Sequence, residues 1–226
     1  MSKTSPQASA EDASRFFSEI ARSLGILFEQ GSAFESAVLA RALPHAVLEL
    51  TEAALSAEQK EELKGLRERG ANLGRQIEWA EGRRAVAQIR ERFEKLGISP
   101  DHIKTSITHS QGFLIGAGVG HPSLVPPRFG IDMERKDRLV RPDLKFRILG
   151  FEGEERLALG ALEAWVIKEA CFKSADPKRG IKVIGEIEIL EFKAGAACLA
   201  KTANGHCFSY VLLQSEEWLF ALARET

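Results

Sequence analysis

Apolar residues recur at helical spacing early in the chain. In "AEDASRFFSEIARSL", Phe16, Phe17, Ile20 and Leu24 share one helical face, and "GILFEQG" after it reads as a short strand between glycines. Residues 33 to 56 mix apolar positions with one proline and predict no definite element. From Ser56 to Gly97 the pattern is helical and rich in Lys, Arg and Glu, with Ser56 as N-cap and Gln59 at the capping-box position. Past Gly97 the texture changes. "KTSITHSQGFLIGAGVG" and "FGIDME" predict strands separated by the breaker "HPSLVPP", and one helix is predicted from about Glu154 to Ser174. The last third reads as strands joined by turns, with Asn204-Gly205 as a hairpin signal. A helix-rich first half followed by strand, long helix and strands predicts an α+β fold.

Composition narrows the picture in a few places. With 226 residues the chain can form one sizeable domain or two small ones sharing an interface. A formal net charge of −1 gives no global basic field, so nucleic acid is not expected as a partner. Cys171, Cys198 and Cys207 are odd in number and show no CxxC spacing, which fits a reducing compartment and argues against a disulfide framework or a zinc site. The first residues lack the basic-then-apolar order of a signal peptide, and no apolar run is long enough to span a bilayer. The expectation is a cytoplasmic protein with no membrane partner. Residues 1–11, small and polar, are expected to be a disordered tail.

The candidate chemistry is acidic. In a strand, side chains alternate between faces, so Phe129, Ile131 and Met133 share one side while Asp132 and Glu134 share the other. At about 100° per residue, a helix over 154–174 places Ala158, Ala161, Leu162, Trp165 and Phe172 in one stripe. Glu169 falls inside that stripe, with Glu155 and Lys173 at its edge. A carboxylate on the apolar side of a helix is costly to bury unless it is paired or bound to metal. Two readings stay open on the residues alone: ordinary solvated charges, with Lys173 simply pairing Glu169 at i, i+4, or three converging oxygen donors. Three hard oxygen ligands without His or Cys suit Mg²⁺ better than zinc, and Mg²⁺ recruits substrate phosphate to complete its octahedron.

The same stretches carry a resemblance. "GIDME", then "WVIKEACFK", with "SITHS" upstream and "GRQIEWAEGRRAVAQIRERFEKLG" before that, resemble in order and spacing the signature of the 4′-phosphopantetheinyl transferases, in the larger monomeric branch of surfactin-type and enterobactin-type enzymes. The matching blocks run from about residue 56 to 175. The resemblance implies a pseudodimer of two similar α+β subdomains, 12–120 and 121–226, with the active site in the cleft between them. It also implies transfer of the phosphopantetheine arm of coenzyme A to a serine of an apo acyl or peptidyl carrier protein, releasing 3′,5′-ADP.

Carried onto this chain, the resemblance implies that Asp132, Glu134 and Glu169 hold Mg²⁺ against the pyrophosphate. Glu155, in "FEGEERLAL", would be the general base, and Lys173 would stabilise phosphate oxygens and the departing ADP. Lys168 is expected near the phosphates, His109 and Ser110 on them, and Arg75 and Arg83 near the 3′-phosphate. Two departures stand out. The G-K-P segment often found before the T-H-S motif is absent from "ISPDHIKTSITHS", and the stretch from Glu155 to Trp165 is compact, so Glu152 or Glu154 could serve as base instead. The glycines of "GAGVG" have no following Lys-Ser/Thr and are not read as a phosphate loop. Rival expectations are a catalytically silent relative that binds coenzyme A or a carrier domain, and an unrelated Mg²⁺ phosphohydrolase.

Overall fold

The computed structural model describes residues 19–20, 22, 35–42, 52–53, 55–141 and 148–226. The tail expected at 1–11 and the strand expected at 25–31 lie outside them. Among the described residues the fold is α+β, with three α-helices and two antiparallel sheets. No helix among them is long and apolar enough to cross a membrane.

Helix α1, Ala57–Glu68, begins with the capping box its sequence predicts: the Ser56 hydroxyl accepts from Gln59 N, and the Gln59 side chain accepts from Ser56 N. It ends at Gly70, whose φ of +81° turns the chain. Asn72 then caps α2, Leu73–Glu94, by accepting from Arg75 N.

Strands β1, Glu35–Ala42, β2, Ile103–Ser110, and β3, Phe113–Gly120, form a three-stranded sheet in the order β1-β3-β2. Helix α2 lies across it, and the glycines of "GAGVG" are what let it approach. A Cβ at Gly118 would meet the Ile89 side chain at 2.4 Å, and one at Gly116 would meet it at 2.9 Å. Their role is close packing.

The second sheet has the order β4-β8-β7-β6-β5, built from β4, Phe129–Arg135, β5, Ile187–Ile189, β6, Ala197–Thr202, β7, Cys207–Gln214, and β8, Trp218–Glu225. The β6–β7 connection contains Asn204 and Gly205, the latter at φ +82°, as the sequence predicts. Helix α3, Ala161–Ser174, packs on this sheet.

The helix expected to start at Glu154 does not run continuously. Glu154–Leu157 is a single 3₁₀ turn, Ala158 takes a left-handed conformation at φ +50°, and α3 begins after Gly160. The buried side of α3 also differs from the predicted stripe. It centres on Ala164, Ile167, Lys168 and Cys171, while Leu162, Trp165 and Phe172 are only partly buried. Apolar residues surround this helix, so spacing alone does not single out its core face.

The sheets meet where β2, an edge strand of the first, lies beside β4, an edge strand of the second. The join is made by side-chain hydroxyls. Ser106 Oγ accepts from Ile131 N at 3.1 Å, Thr108 Oγ1 accepts from Met133 N at 3.1 Å, and Ser110 Oγ donates to Glu134 Oε2 at 2.6 Å. Behind this seam Phe129, Ile131 and Met133 enter a core shared with Ile115 and Val119 of β3 and Phe220 of β8. Each such side chain contributes about 1.5–3 kcal/mol when fully buried.

Candidate active site

Asp132 and Glu134 face away from that core and are themselves 5% exposed, which is unusual for carboxylates and requires partners. Asp132 Oδ1 accepts from Thr108 Oγ1 at 3.0 Å and from Lys173 Nζ at 2.7 Å. Its second oxygen, Oδ2, is buried with no hydrogen-bond partner. Glu134 is held by Ser110 and by an ion pair with Arg138.

Helix α3 reaches this point because residue 130 is glycine. A Cβ there would sit 2.1 Å from the Ala170 carbonyl oxygen and 2.7 Å from Ser174 N, so any side chain would push the helix off the strand. Close approach of α3 to β4 carries Lys173 to Asp132 and leaves Glu169 half-buried beside it.

Burial raises the Glu169 carboxyl above the usual range, and the nearby Asp132 charge raises it further; Lys173 and Arg138 oppose the shift. A carboxylate whose folded pKa lies above its unfolded one costs nothing below the unfolded pKa, and its penalty grows as pH rises through the folded value. Glu169→Gln is therefore expected to melt above the wild type at pH 7, with the gap closing as pH falls below the ordinary carboxylate range. Thermal melts of both proteins from pH 4 to 8 check this, and an equal or lower melting temperature for the variant at pH 7 would refute it.

His109 closes the other side. Its Nδ1 lies 3.3 Å from Glu78 Oε2 and its Nε2 lies 3.3 Å from Arg75 Nη1, both on α2. Burial holds its pKa below the usual imidazole value, opposed by Glu78 and by Asp132, while Arg75 and Lys173 push the same way as burial. Arg75, His109, Ser110, Asp132, Glu134, Glu169 and Lys173 thus gather along the seam between the sheets.

Three expected members are placed otherwise. Lys168 is fully buried, one position from Glu169 but on the core side of α3. Its Nζ lies 2.7 and 3.0 Å from the two oxygens of Glu154 and also donates to the Ile148 carbonyl. An ammonium so enclosed does not reach a phosphate at the seam, which corrects that expectation. Arg83 turns toward α1, paired with Glu62 at 3.2 Å and stacked over Trp79 at 5.2 Å from the ring centroid. Glu155 lies in the 3₁₀ turn that precedes α3, so the helical phase expected to bring it alongside Glu169 is absent. Of the alternative bases, Glu154 is consumed by Lys168 and by Ile189 N, which it accepts at 2.9 Å, while Glu152 is exposed.

Thr108, Arg138 and Glu78 are site neighbours that the sequence reading did not single out. Thr108 had a signal: it sits two before Ser110, hence on the same strand face. Glu78 lies in the resembling stretch "GRQIEW", three residues after Arg75, while Arg138 carried no signal.

The carboxylates at the seam offer only oxygen ligands, and the unpartnered buried Oδ2 of Asp132 suits a hard cation. Among the described residues, however, no three or more His, Cys, Asp or Glu side chains stand grouped as a ready metal cage. Asp132 and Glu134 are each engaged by a cationic side chain and a hydroxyl. No protein-family model matches this chain, and no curated protein sequence matches it.

Proposed function

We propose that this chain is a 4′-phosphopantetheinyl transferase that moves the phosphopantetheine arm of coenzyme A to a serine of an apo acyl or peptidyl carrier protein. The observation that carries the reading is the meeting of Asp132, with its buried unpartnered oxygen, with Lys173 and Glu169 from α3 and with His109 from β2. The resemblance of "GIDME", "WVIKEACFK" and "SITHS" supplies the reaction class. In this reading residues 12–120 and 121–226 are two α+β subdomains of a pseudodimer, with coenzyme A in the cleft along the β2–β4 seam. The protein acts as a monomer in the cytoplasm.

Asp132, Glu134 and Glu169 would hold Mg²⁺, with Glu134 releasing Arg138 to do so. Bound there, Mg²⁺ would supply positive charge to offset the charge building on the leaving group. Lys173 Nζ, already at the acid cluster, hydrogen-bonds a phosphate oxygen, and His109 and Arg75 hold the nucleotide side of the pyrophosphate. The carrier serine oxygen attacks the phosphorus bearing the pantetheine arm. The bond to the ADP phosphate breaks, and 3′,5′-ADP leaves with the electron pair. The base role falls to Glu155 on the resemblance alone: it would take the serine proton, directly or through water.

An intact-mass assay tests this. Incubated with coenzyme A and Mg²⁺, one or more of a panel of apo carrier proteins should gain one phosphopantetheine unit, with matching release of 3′,5′-ADP. A second reading, a silent relative that binds coenzyme A without transfer, is favoured by one observation: both strand acids are closed by protein cations, and among the described residues no ready cage is formed. Tight coenzyme A binding with no mass gain on any carrier would establish it over the transferase.

A further inference from the structure

The seam opens, at the end formed by the first residues of β2 and β4, into a polar cleft of about 360 Å³. Arg90 of α2, Lys104 of β2, Arg128 just before β4 and Lys173 of α3 line it, against a single carboxylate, Asp101. Arg90 and Arg128 are exposed and Lys104 is half-buried, and the side chains of these three have no hydrogen-bond or ion-pair partner among the described residues. Four cations from four separate elements converge on one concavity, and three of them are not used by the fold. About 17 Å of extended strand separates Lys104 from His109, so this is a different place from the His109–Arg75 end of the seam.

We propose that this cleft is an anion-binding subsite for a phosphate-bearing ligand. Two guanidinium forks suit the bidentate geometry of phosphate oxygens. A concavity whose lining carries four cations against one carboxylate concentrates a positive field. The excess of cations fits a multiply charged phosphate better than a lone carboxylate. Lys173 joins the two ends, since it lines the cleft while bonding Asp132 at 2.7 Å. The inference does not depend on the transferase reading, because neither Lys104 nor Arg128 lies in a resembling stretch and none of the three carries a role that the resemblance implies.

The test is a calorimetric titration of the full chain with inorganic pyrophosphate in the presence of a chelator. Saturable binding at one equivalent is expected, weakened about tenfold in Arg128→Gln and in Lys104→Gln, and lost in the Arg90→Gln/Lys104→Gln/Arg128→Gln triple variant. Lys95→Gln, a surface control, should leave it unaltered. Circular dichroism melts show that each variant is folded. Absent saturation in the wild type, or unaltered affinity in the triple variant, overturns the proposal, as does binding lost with Arg75→Gln but kept without Arg128. Competition then separates two sources of the phosphate: displacement by coenzyme A assigns the cleft to the coenzyme's own phosphates, and simultaneous binding assigns it to a distinct phosphorylated ligand. If no carrier gains mass while pyrophosphate still binds here, the transferase reading fails and the subsite stands.

Discussion

Glu154→Ala is expected to destabilise the fold by about 3–5 kcal/mol, the usual cost of breaking a buried ion pair from one side. The side chains of Glu154 and Lys168 are both 0% exposed, so the variant strands an ammonium in the core with the Ile148 carbonyl and the face of Phe151 beside it but no anion in contact. Burial already presses the Lys168 pKa downward against the pull of Glu154; without the carboxylate nothing comparable opposes that pressure. The backbone N–H of Ile189 also loses its acceptor, a further cost of about 1–3 kcal/mol. Replacing both members with apolar residues, Glu154→Leu with Lys168→Met, should recover most of the loss, because paired removal leaves no buried charge. The unpaired Ile189 N–H should keep the double variant below the wild type. Urea unfolding followed by circular dichroism measures all three proteins. A single variant within about 1 kcal/mol of the wild type would show that the pair is not a keystone of this sheet.

In the proposed mechanism, Asp132→Ala is expected to abolish phosphopantetheine transfer, lowering the rate by about a thousandfold or more. Charge stabilisation by a metal ion is worth several kcal/mol, and each 1.36 kcal/mol is about a factor of ten in rate. Asp132 is also the acceptor that places Lys173 Nζ and the Thr108 hydroxyl, so its removal unfastens the cation that the proposal sets on the phosphate as well as the proposed metal ligand. Lys173→Ala separates the two contributions: transfer should slow while Mn²⁺ affinity stays close to that of the wild type. The carrier mass assay reads transfer, and titration with Mn²⁺ reads the metal. Normal transfer by Asp132→Ala would eliminate the mechanism outright.

The legible parts of this protein were those set by short-range chemistry. The Ser56–Gln59 capping box, the alternation in β4 that sends Ile131 inward and Asp132 outward, and the Asn204-Gly205 hairpin each follow from neighbouring residues alone. The illegible parts were set by partners far away in sequence. Lys168 and Glu169 are adjacent in a helix that is apolar nearly all round, so nothing local says which of them faces Glu154 and which faces Asp132. The break at Ala158–Gly160 depends on a left-handed residue that is not glycine, which composition does not announce. Arg83 lies on the motif-bearing helix, but α1 supplies Glu62 to turn it away.

The hydroxyl seam has a consequence for how the two halves communicate. Thr108 and Ser110 each touch an acid while fastening one half of the molecule to the other. Grip on the acids and grip between the sheets therefore share the same hydroxyls, so anything that binds Asp132 or Glu134 in competition with Thr108 or Ser110 also draws on the packing of the seam.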